Sequence, residues 1–61
     1  MQVKFEFAVG QRVTLEETGR PGIVRGCFIE RDEVKSYDVE YSDKNGAIFS
    51  RWFRSADLKA V

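Results

Sequence analysis

Ser36-Tyr37-Asp38-Val39-Glu40-Tyr41-Ser42 is the stretch that decides the fold, because apolar and polar side chains alternate along it without a break. Successive side chains of an extended strand point to opposite faces, so Tyr37 and Tyr41 lie on one face and the carboxylates on the other. This pattern is typical of an antiparallel strand that is wet on one side. It predicts a strand over 35–42 with the tyrosines in the core.

The alternation recurs on both sides of this stretch, while no segment sustains the spacing of an amphipathic helix. Strands are predicted at about 3–7, 11–17, 22–30, 35–42 and 47–53, with a short last strand at about 58–60. Ser55-Ala56-Asp57-Leu58 predicts a tight helical turn before that last strand. The chain is therefore predicted to be all-β, with five to six short antiparallel strands. Sheets this short hide their edges best by closing into a small barrel.

Turn chemistry separates the predicted strands. In Thr18-Gly19-Arg20-Pro21-Gly22, proline suits the start of a turn and Gly22 suits a position with positive φ. Asp43-Lys44-Asn45-Gly46 predicts a hairpin, since Asn and Gly adopt left-handed conformations at little cost. The charged stretch 30–35 predicts a solvated loop. Gly26 interrupts a strand and predicts a β-bulge, which would change the phase of the alternation beyond it.

The length of the chain limits how it can be stabilised. Its 61 residues are predicted to form one domain, 1–61. A domain this small usually needs stabilisation in addition to its core, such as a disulfide, a bound metal or a partner chain. Cys27 is the only cysteine and histidine is absent, which excludes an internal disulfide and leaves no ligand set for a closed zinc site. Efficient packing of aromatic residues and burial against a partner chain remain as sources of stability, and the second leads us to expect a homo-oligomer.

Composition and charge limit the class of function. Hydrophobic residues at 43% and aromatic residues at 13% indicate a folded chain rather than a disordered one. The 10 basic and 10 acidic side chains cancel, whereas a DNA-binding domain normally carries a basic excess. The sequence shows neither the pattern of a secretory leader nor a long apolar run, and a lone cysteine fits a reducing compartment. We therefore expect a cytoplasmic protein that makes no use of a membrane.

Several motifs taken together resemble the SH3-like barrel superfold. They are the opening Val9-Gly10-Gln11-Arg12-Val13, the turn at 18–22, the strand with Gly26, Tyr37–Tyr41, the hairpin at 43–46, and Trp52-Phe53 followed by Ala56-Asp57-Leu58. Over about residues 9–60 the chain is similar to Tudor, KOW and CAP-Gly domains and to small bacterial SH3-like proteins. The Gly-Lys-Asn-Asp-Gly signature of CAP-Gly domains and the Ala-Leu-Tyr-Asp-Tyr opening of signalling SH3 domains are both missing. The resemblance implies a fold and a binding role without naming a ligand.

Trp52 and Phe53 are adjacent in a predicted strand, so they point to opposite faces. In barrels of the kind that the chain resembles, the aromatic residue five positions before the final leucine belongs to the core. The resemblance therefore implies core positions for Phe53 and Leu58. Ala47 and Phe49 share the phase of Phe53 and are predicted to lie inside with it. The other face then carries Ile48, Ser50 and Trp52.

Trp52 has two interpretations. An exposed tryptophan on a small domain is a candidate binding hot spot, because it offers a large and rigid contact area. Alternatively, the predicted strand 3–7 folds over the tryptophan and covers it, since tryptophan is usually mostly buried. The first interpretation predicts a binding surface centred on Trp52, with Arg51, Arg54 and Ile48 at its margin.

Four arginines, Arg20, Arg25, Arg51 and Arg54, suggest an alternative. Arginine beside aromatic surface suits anionic or stacked partners, including single-stranded nucleic acid. This would be a nucleic-acid-binding module of the KOW or Tudor kind. Against it, each arginine could pair with a carboxylate as part of a solvated surface, which the neutral net charge favours.

No motif predicts catalysis. Cys27 has no histidine to activate it and is predicted to be a small packed hydrophobe. Tyr37, Tyr41 and Phe28 could form an aromatic cage for a methylated cation, but the strand phase favours the core for the tyrosines. A barrel this small is filled by side chains and leaves no pocket within one subunit. We expect a binding module that is not an enzyme and holds no cofactor or metal, whose partner is another protein or its own copies.

Overall fold

The computed structural model of the protein describes residues 5–61, which form one five-stranded antiparallel sheet. The strands are β1 (Arg12–Leu15), β2 (Pro21–Ile29), β3 (Lys35–Ser42), β4 (Ile48–Arg54) and β5 (Leu58–Ala60), with a short 3-10 helix at Ser55–Asp57. Their order in the sheet is β4-β3-β2-β1-β5. The all-β class and the helical turn before the last strand are thereby confirmed. Within the described residues the edge strands β4 and β5 do not pair, so the sheet is open.

One face of the sheet carries the core. Tyr37 and Val39 of β3 point to this face together with Val24 of β2, and all three are fully buried. The remaining buried hydrophobic residues are Phe7, Val13, Leu15 and Leu58. We call this the inner face, and the opposite side, to which Asp38 and Glu40 point, the outer face. The predicted division of β3 between a buried and a solvated side is confirmed.

Gly26 lies at a β-bulge, as predicted. Val24 pairs with Val39 and Gly26 pairs with Asp38, so Arg25 is an extra residue with no partner of its own on β3. The extra residue changes the phase of β2, which places Cys27 opposite Tyr37 on the inner face. Cys27 packs against the core, in agreement with its predicted role as a packed hydrophobe.

The predicted strand at 3–7 is wrong for residues 5–7, while residues 3 and 4 lie outside the described part of the chain. Residues 5–7 have no strand partner and are held by side-chain contacts instead. The rings of Phe5 and Phe7 meet the edge or face of Tyr37 at centroid distances of 6.0 and 5.2 Å. The backbone N–H of Glu6 donates to the Tyr37 hydroxyl at 2.8 Å. Alternation alone predicted a strand, but a strand in a sheet also requires a neighbouring strand whose backbone groups form hydrogen bonds with it.

The β1–β2 turn differs from its prediction in where the left-handed residue lies. Gly19 has a φ of 74°, whereas Pro21 and Gly22 already belong to β2. Gly22 is needed for a different reason, because a Cβ atom there would lie 2.6 Å from Cγ1 of Val39. Glycine at this position permits a close approach between β2 and the fully buried valine on β3.

The β3–β4 hairpin is confirmed. The Asp43 carboxylate accepts hydrogen bonds from the backbone N–H groups of Asn45 and Ala47 at 2.8 and 2.9 Å. Gly46 adopts a φ of 85° and completes the turn. The charged loop after β2 is also exposed as predicted over 30–33.

The predicted core positions around β4 are confirmed only in part. Leu58 is buried, and Phe53 is half-buried against the core cluster. Ala47 and Phe49 are exposed instead of inside, Phe49 by 46%. Phe49 does have the predicted phase, since it pairs with Tyr41, but β4 is an edge strand and this end of its inner face is not covered.

Candidate functional site

The outer face carries two large aromatic side chains in contact with each other. Phe28 of β2 and Trp52 of β4 have ring centroids 4.5 Å apart and an interplanar angle of 76°, an edge-to-face arrangement. Phe28 is 53% exposed and Trp52 is 55% exposed. The segment at 5–7 packs on Tyr37 at the inner face, so it leaves Trp52 uncovered. Of the two interpretations of Trp52, the described residues support the exposed one.

The bulge and its glycine bring this aromatic pair together across β3. Asp38 of β3 pairs with Gly26 on one side and with Trp52 on the other. A Cβ atom at Gly26 would lie 3.3 Å from Cε2 of Phe28, so the ring of Phe28 lies over the glycine. The small residue therefore gives Phe28 room to lean towards the tryptophan.

Ile23 and Ile48 form a second apolar area on the same face, with Glu40 and Ser50 between Ile48 and Trp52. Ile23 on β2 pairs with Glu40, and Ile48 on β4 pairs with Ser42, which places both on the solvated side of β3. Both side chains are exposed, and they border an open depression of about 500 Å³. We call Ile23, Phe28, Ile48 and Trp52 the outer apolar surface.

Ion pairs border the outer apolar surface. Arg25 lies 3.6 Å from the Glu40 carboxylate, and Arg54 lies 3.5 Å from the Glu30 carboxylate. Glu30 also accepts a hydrogen bond from the buried hydroxyl of Ser36 at 3.1 Å. Exposed pairs of this kind contribute little to stability, and Glu40 lies on the central strand of the outer face, between Ile23 and Ser50.

The structure does not bring the four arginines together. Arg54 and Arg25 border the outer apolar surface as ion pairs, and Arg20 lies in the β1–β2 turn, at the opposite end of β2 from Phe28. Arg51 is on the inner face, opposite Val39, with its guanidinium 5.7 Å from the ring centroid of Phe53. The predicted position of Arg51 at the margin of Trp52 is wrong, because adjacent residues of a strand face opposite sides.

The inner face holds a small cleft, contrary to the prediction that no pocket exists within one subunit. Its volume is about 180 Å³, and its lining includes Tyr41, Phe53, Arg51, Glu17 and Asp57. The cleft lies between β4 and the residues around the end of β1 and the 3-10 helix. Arg51 already covers the Phe53 ring, so the cation–π position in this cleft is occupied by the chain itself.

The side chains with potential catalytic or metal-binding chemistry are the carboxylates and Cys27. Over residues 5–61, no three Cys, Asp or Glu side chains meet as a metal site. Burial raises the pKa of the Cys27 thiol, and its Sγ lies 3.5 Å from the carbonyl oxygen of Phe7. A raised pKa disfavours the thiolate, which is the nucleophilic form.

Phe28 and Ile23 are the members of the outer apolar surface that sequence reasoning missed. The available clue was the bulge at Gly26, because an extra residue in β2 moves Phe28 to the face of Trp52.

No protein-family model and no curated protein matches the sequence. Within the described part of the chain, none of the helical structure is long or apolar enough to cross a bilayer.

Proposed function

We propose that the chain is a non-catalytic binding module of the SH3-like barrel type, which associates with protein surfaces through its outer apolar surface, its own copies first among them. The observation that carries this proposal is the contact between Phe28 and Trp52, two aromatic side chains that remain more than half exposed. Large exposed aromatic residues are the side chains that most often dominate binding energy.

The outer apolar surface has no role in the core that would explain it. All the buried hydrophobic residues of the described chain belong to the inner face or the segments that cover it. Trp52 contacts Phe28 on the outer face instead, and Asp38 of the intervening strand β3 pairs with Trp52. Exposed apolar area with charged side chains beside it is typical of an interaction site.

The strand pairing supports the proposed barrel type. The last strand, β5, follows the 3-10 helix and pairs with β1, so it forms the edge of the sheet opposite to β4. Leu58 thereby reaches Leu15, and the two leucines join the core beneath β2 and β3. Such a return curls a twisted sheet towards closure.

Trp52 is the only tryptophan, so its fluorescence reports directly on the proposed surface. We expect emission typical of a water-exposed indole in dilute solution, and a blue shift as the protein associates at rising concentration. Trp52→Ala is expected to abolish association in sedimentation experiments while keeping cooperative unfolding. Val9→Ala, a change at another exposed apolar residue, serves as the control and is expected to associate like the wild type.

Two results would contradict the proposal. Loss of cooperative unfolding in Trp52→Ala would show that the tryptophan is a core residue. Association that is unchanged in Trp52→Ala would show that the contact surface lies elsewhere. Affinity for single-stranded oligonucleotides that falls steeply with salt would instead favour the alternative function, nucleic-acid binding through the arginines.

A further inference from the structure

The edge of the sheet at β4 is open, and its charged side chains are Arg51 on the inner face and Arg54 at its end. Ile48–Arg54 pairs with β3 in a regular ladder, and within residues 5–61 no strand pairs with its other side. Exposed edges are normally blunted by proline, by charged side chains (lysine above all), by a bulge or by a covering loop. The sequence of β4 is IFSRWFR, which contains no proline, glycine or lysine, and its ladder with β3 shows no bulge.

The hairpin shows which backbone groups of β4 are free. The N–H of Asp43 donates to the carbonyl oxygen of Ala47 at 2.9 Å, so these residues form a hydrogen-bonded pair next to the start of β4. Antiparallel ladders alternate between hydrogen-bonded and non-hydrogen-bonded pairs. Phe49, Arg51 and Phe53 therefore hydrogen-bond to β3. The alternate residues direct their N–H and C=O groups to the open edge: Ile48, Ser50, Trp52 and Arg54.

We propose that a second copy of the chain pairs its own β4 antiparallel to this edge, with the two-fold axis at Ser50. The inference rests on the proposed function, because it names the partner and the mode of association of that same surface. In this register Ile48 lies opposite Trp52 of the second copy on the outer face. Phe49 lies opposite Arg51 of the second copy on the inner face, a cation–π arrangement. Ser50 meets Ser50 of the second copy at the axis.

Neighbouring registers are less favourable. A shift of the axis to Arg51 places two arginines directly opposite each other, which is destabilising. A shift to Phe49 places Trp52 opposite Gly46 of the second copy, and a shift to Trp52 places Phe49 opposite Ser55, beyond the end of β4. The axis at Ser50 avoids the arginine pair and keeps every residue from Ile48 to Trp52 opposite another residue of β4.

The proposed dimer agrees with the charge and size of the domain. Its net charge is zero, so two copies approach without long-range repulsion. One short strand per copy makes a small interface, and interfaces below about 1,200 Å² belong to weak or transient complexes. We therefore expect a dissociation constant in the micromolar range or above. Pairing would also join the two outer apolar surfaces across the axis.

Site-specific cross-linking tests the register. In the proposed dimer the two Ser50 Cα atoms form a hydrogen-bonded pair about 5.5 Å apart, a separation that a disulfide can span. Ser50→Cys is compared with Ser42→Cys, the same change on the outer face of β3, with oxidised glutathione as the oxidant. Ser50→Cys is expected to form covalent dimers at least ten-fold faster, because pairing raises the effective concentration of its thiol. Cys27 is present in both variants and contributes equally.

Ser50→Pro tests the backbone pairing. The N–H of Ser50 points to the open edge, where proline is tolerated, so this variant keeps the β3–β4 ladder. It is expected to sediment as a monomer with a cooperative unfolding transition, at concentrations where the wild type dimerises.

The possible results separate failure of the edge pairing from failure of the proposed function. A Ser50→Pro variant that dimerises normally, or equal cross-linking of both cysteine variants, would overturn the edge pairing alone. A wild type that stays monomeric into the millimolar range would overturn both the edge pairing and self-association through the outer apolar surface. Fast cross-linking of Ser50→Cys together with unchanged association of Trp52→Ala would instead uphold the edge pairing and contradict the role given to the outer apolar surface.

Discussion

Gly22→Ala tests whether the close approach of β2 to β3 depends on the absence of a side chain. The added Cβ would lie 2.6 Å from Cγ1 of Val39 and 3.3 Å from the carbonyl oxygen of Glu40. The optimal distance between carbon atoms is about 3.5–4.0 Å, so the overlap approaches 1 Å. Val39 is fully buried and β-branched, which leaves it little freedom to rotate away.

The expected loss of stability follows from two opposing effects. Overpacking a core costs about 1–3 kcal/mol. The lower entropy of the unfolded chain with alanine offsets about 0.4–1 kcal/mol of this cost. We expect a net destabilisation of about 1–2 kcal/mol, which in a domain of this size lowers the midpoint of thermal unfolding by about 4–16 °C.

Thermal and urea unfolding followed by circular dichroism provide the measurement, with Gly26→Ala as the control on the same strand. A Cβ at Gly26 would lie 3.3 Å from Cε2 of Phe28, an exposed ring that can move, so we expect a much smaller change. In a double-mutant cycle, Val39→Ala should remove most of the cost of Gly22→Ala. Equal midpoints for Gly22→Ala and the wild type would refute the reasoning.

Further predictions concern the hairpin, the N-terminal segment and the thiol. Asp43→Ala removes the acceptor for two backbone N–H groups and is expected to lower the free energy of unfolding by about 1 kcal/mol, measured against Asp43→Asn, which keeps an oxygen. Tyr37→Phe leaves the N–H of Glu6 without its partner and is expected to cost about 1 kcal/mol in urea unfolding. The pKa of Cys27 is raised in the folded state. The contribution of the protonated thiol to the free energy of unfolding is therefore complete below the unfolded pKa of about 8.5, and it is lost as the pH rises through the folded pKa. The free energy of unfolding should therefore decline in alkaline solution, and Cys27→Ala should remove that part of the decline.

Local chemistry was sufficient to predict most of the sheet. The alternation around Tyr37 gave the correct face of β3, and Gly26 and the Asp43–Gly46 turn gave the bulge and the hairpin. These features depend on a few consecutive residues, because turn type and strand phase are properties of the local backbone.

Apart from Arg51, whose face follows from strand phase alone, the main errors depend on what lies beside a strand. Phe49 has the phase of a core residue but lies on an edge strand where nothing covers it. Residues 5–7 alternate like a strand but have no ladder to join. Gly22 serves a contact with Val39, which is distant in sequence. Phase predicts the face to which a side chain points, whereas burial is decided by the elements packed on that face.

The exposed aromatic pair sets the scale of the association that we propose. An aromatic side chain buries about 150–250 Å² when fully covered, so half-exposed Phe28 and Trp52 each retain about 100 Å² for a partner. At about 25 cal/mol per Å², each contributes about 2.5 kcal/mol on burial. Association costs at least about 4 kcal/mol in lost translational and rotational freedom. Burial of Phe28 and Trp52 of one copy, about 5 kcal/mol together, barely exceeds this cost. A dimer therefore needs both copies of the surface or the edge hydrogen bonds of β4, and removal of Trp52 from both copies, about 5 kcal/mol, is enough to abolish it.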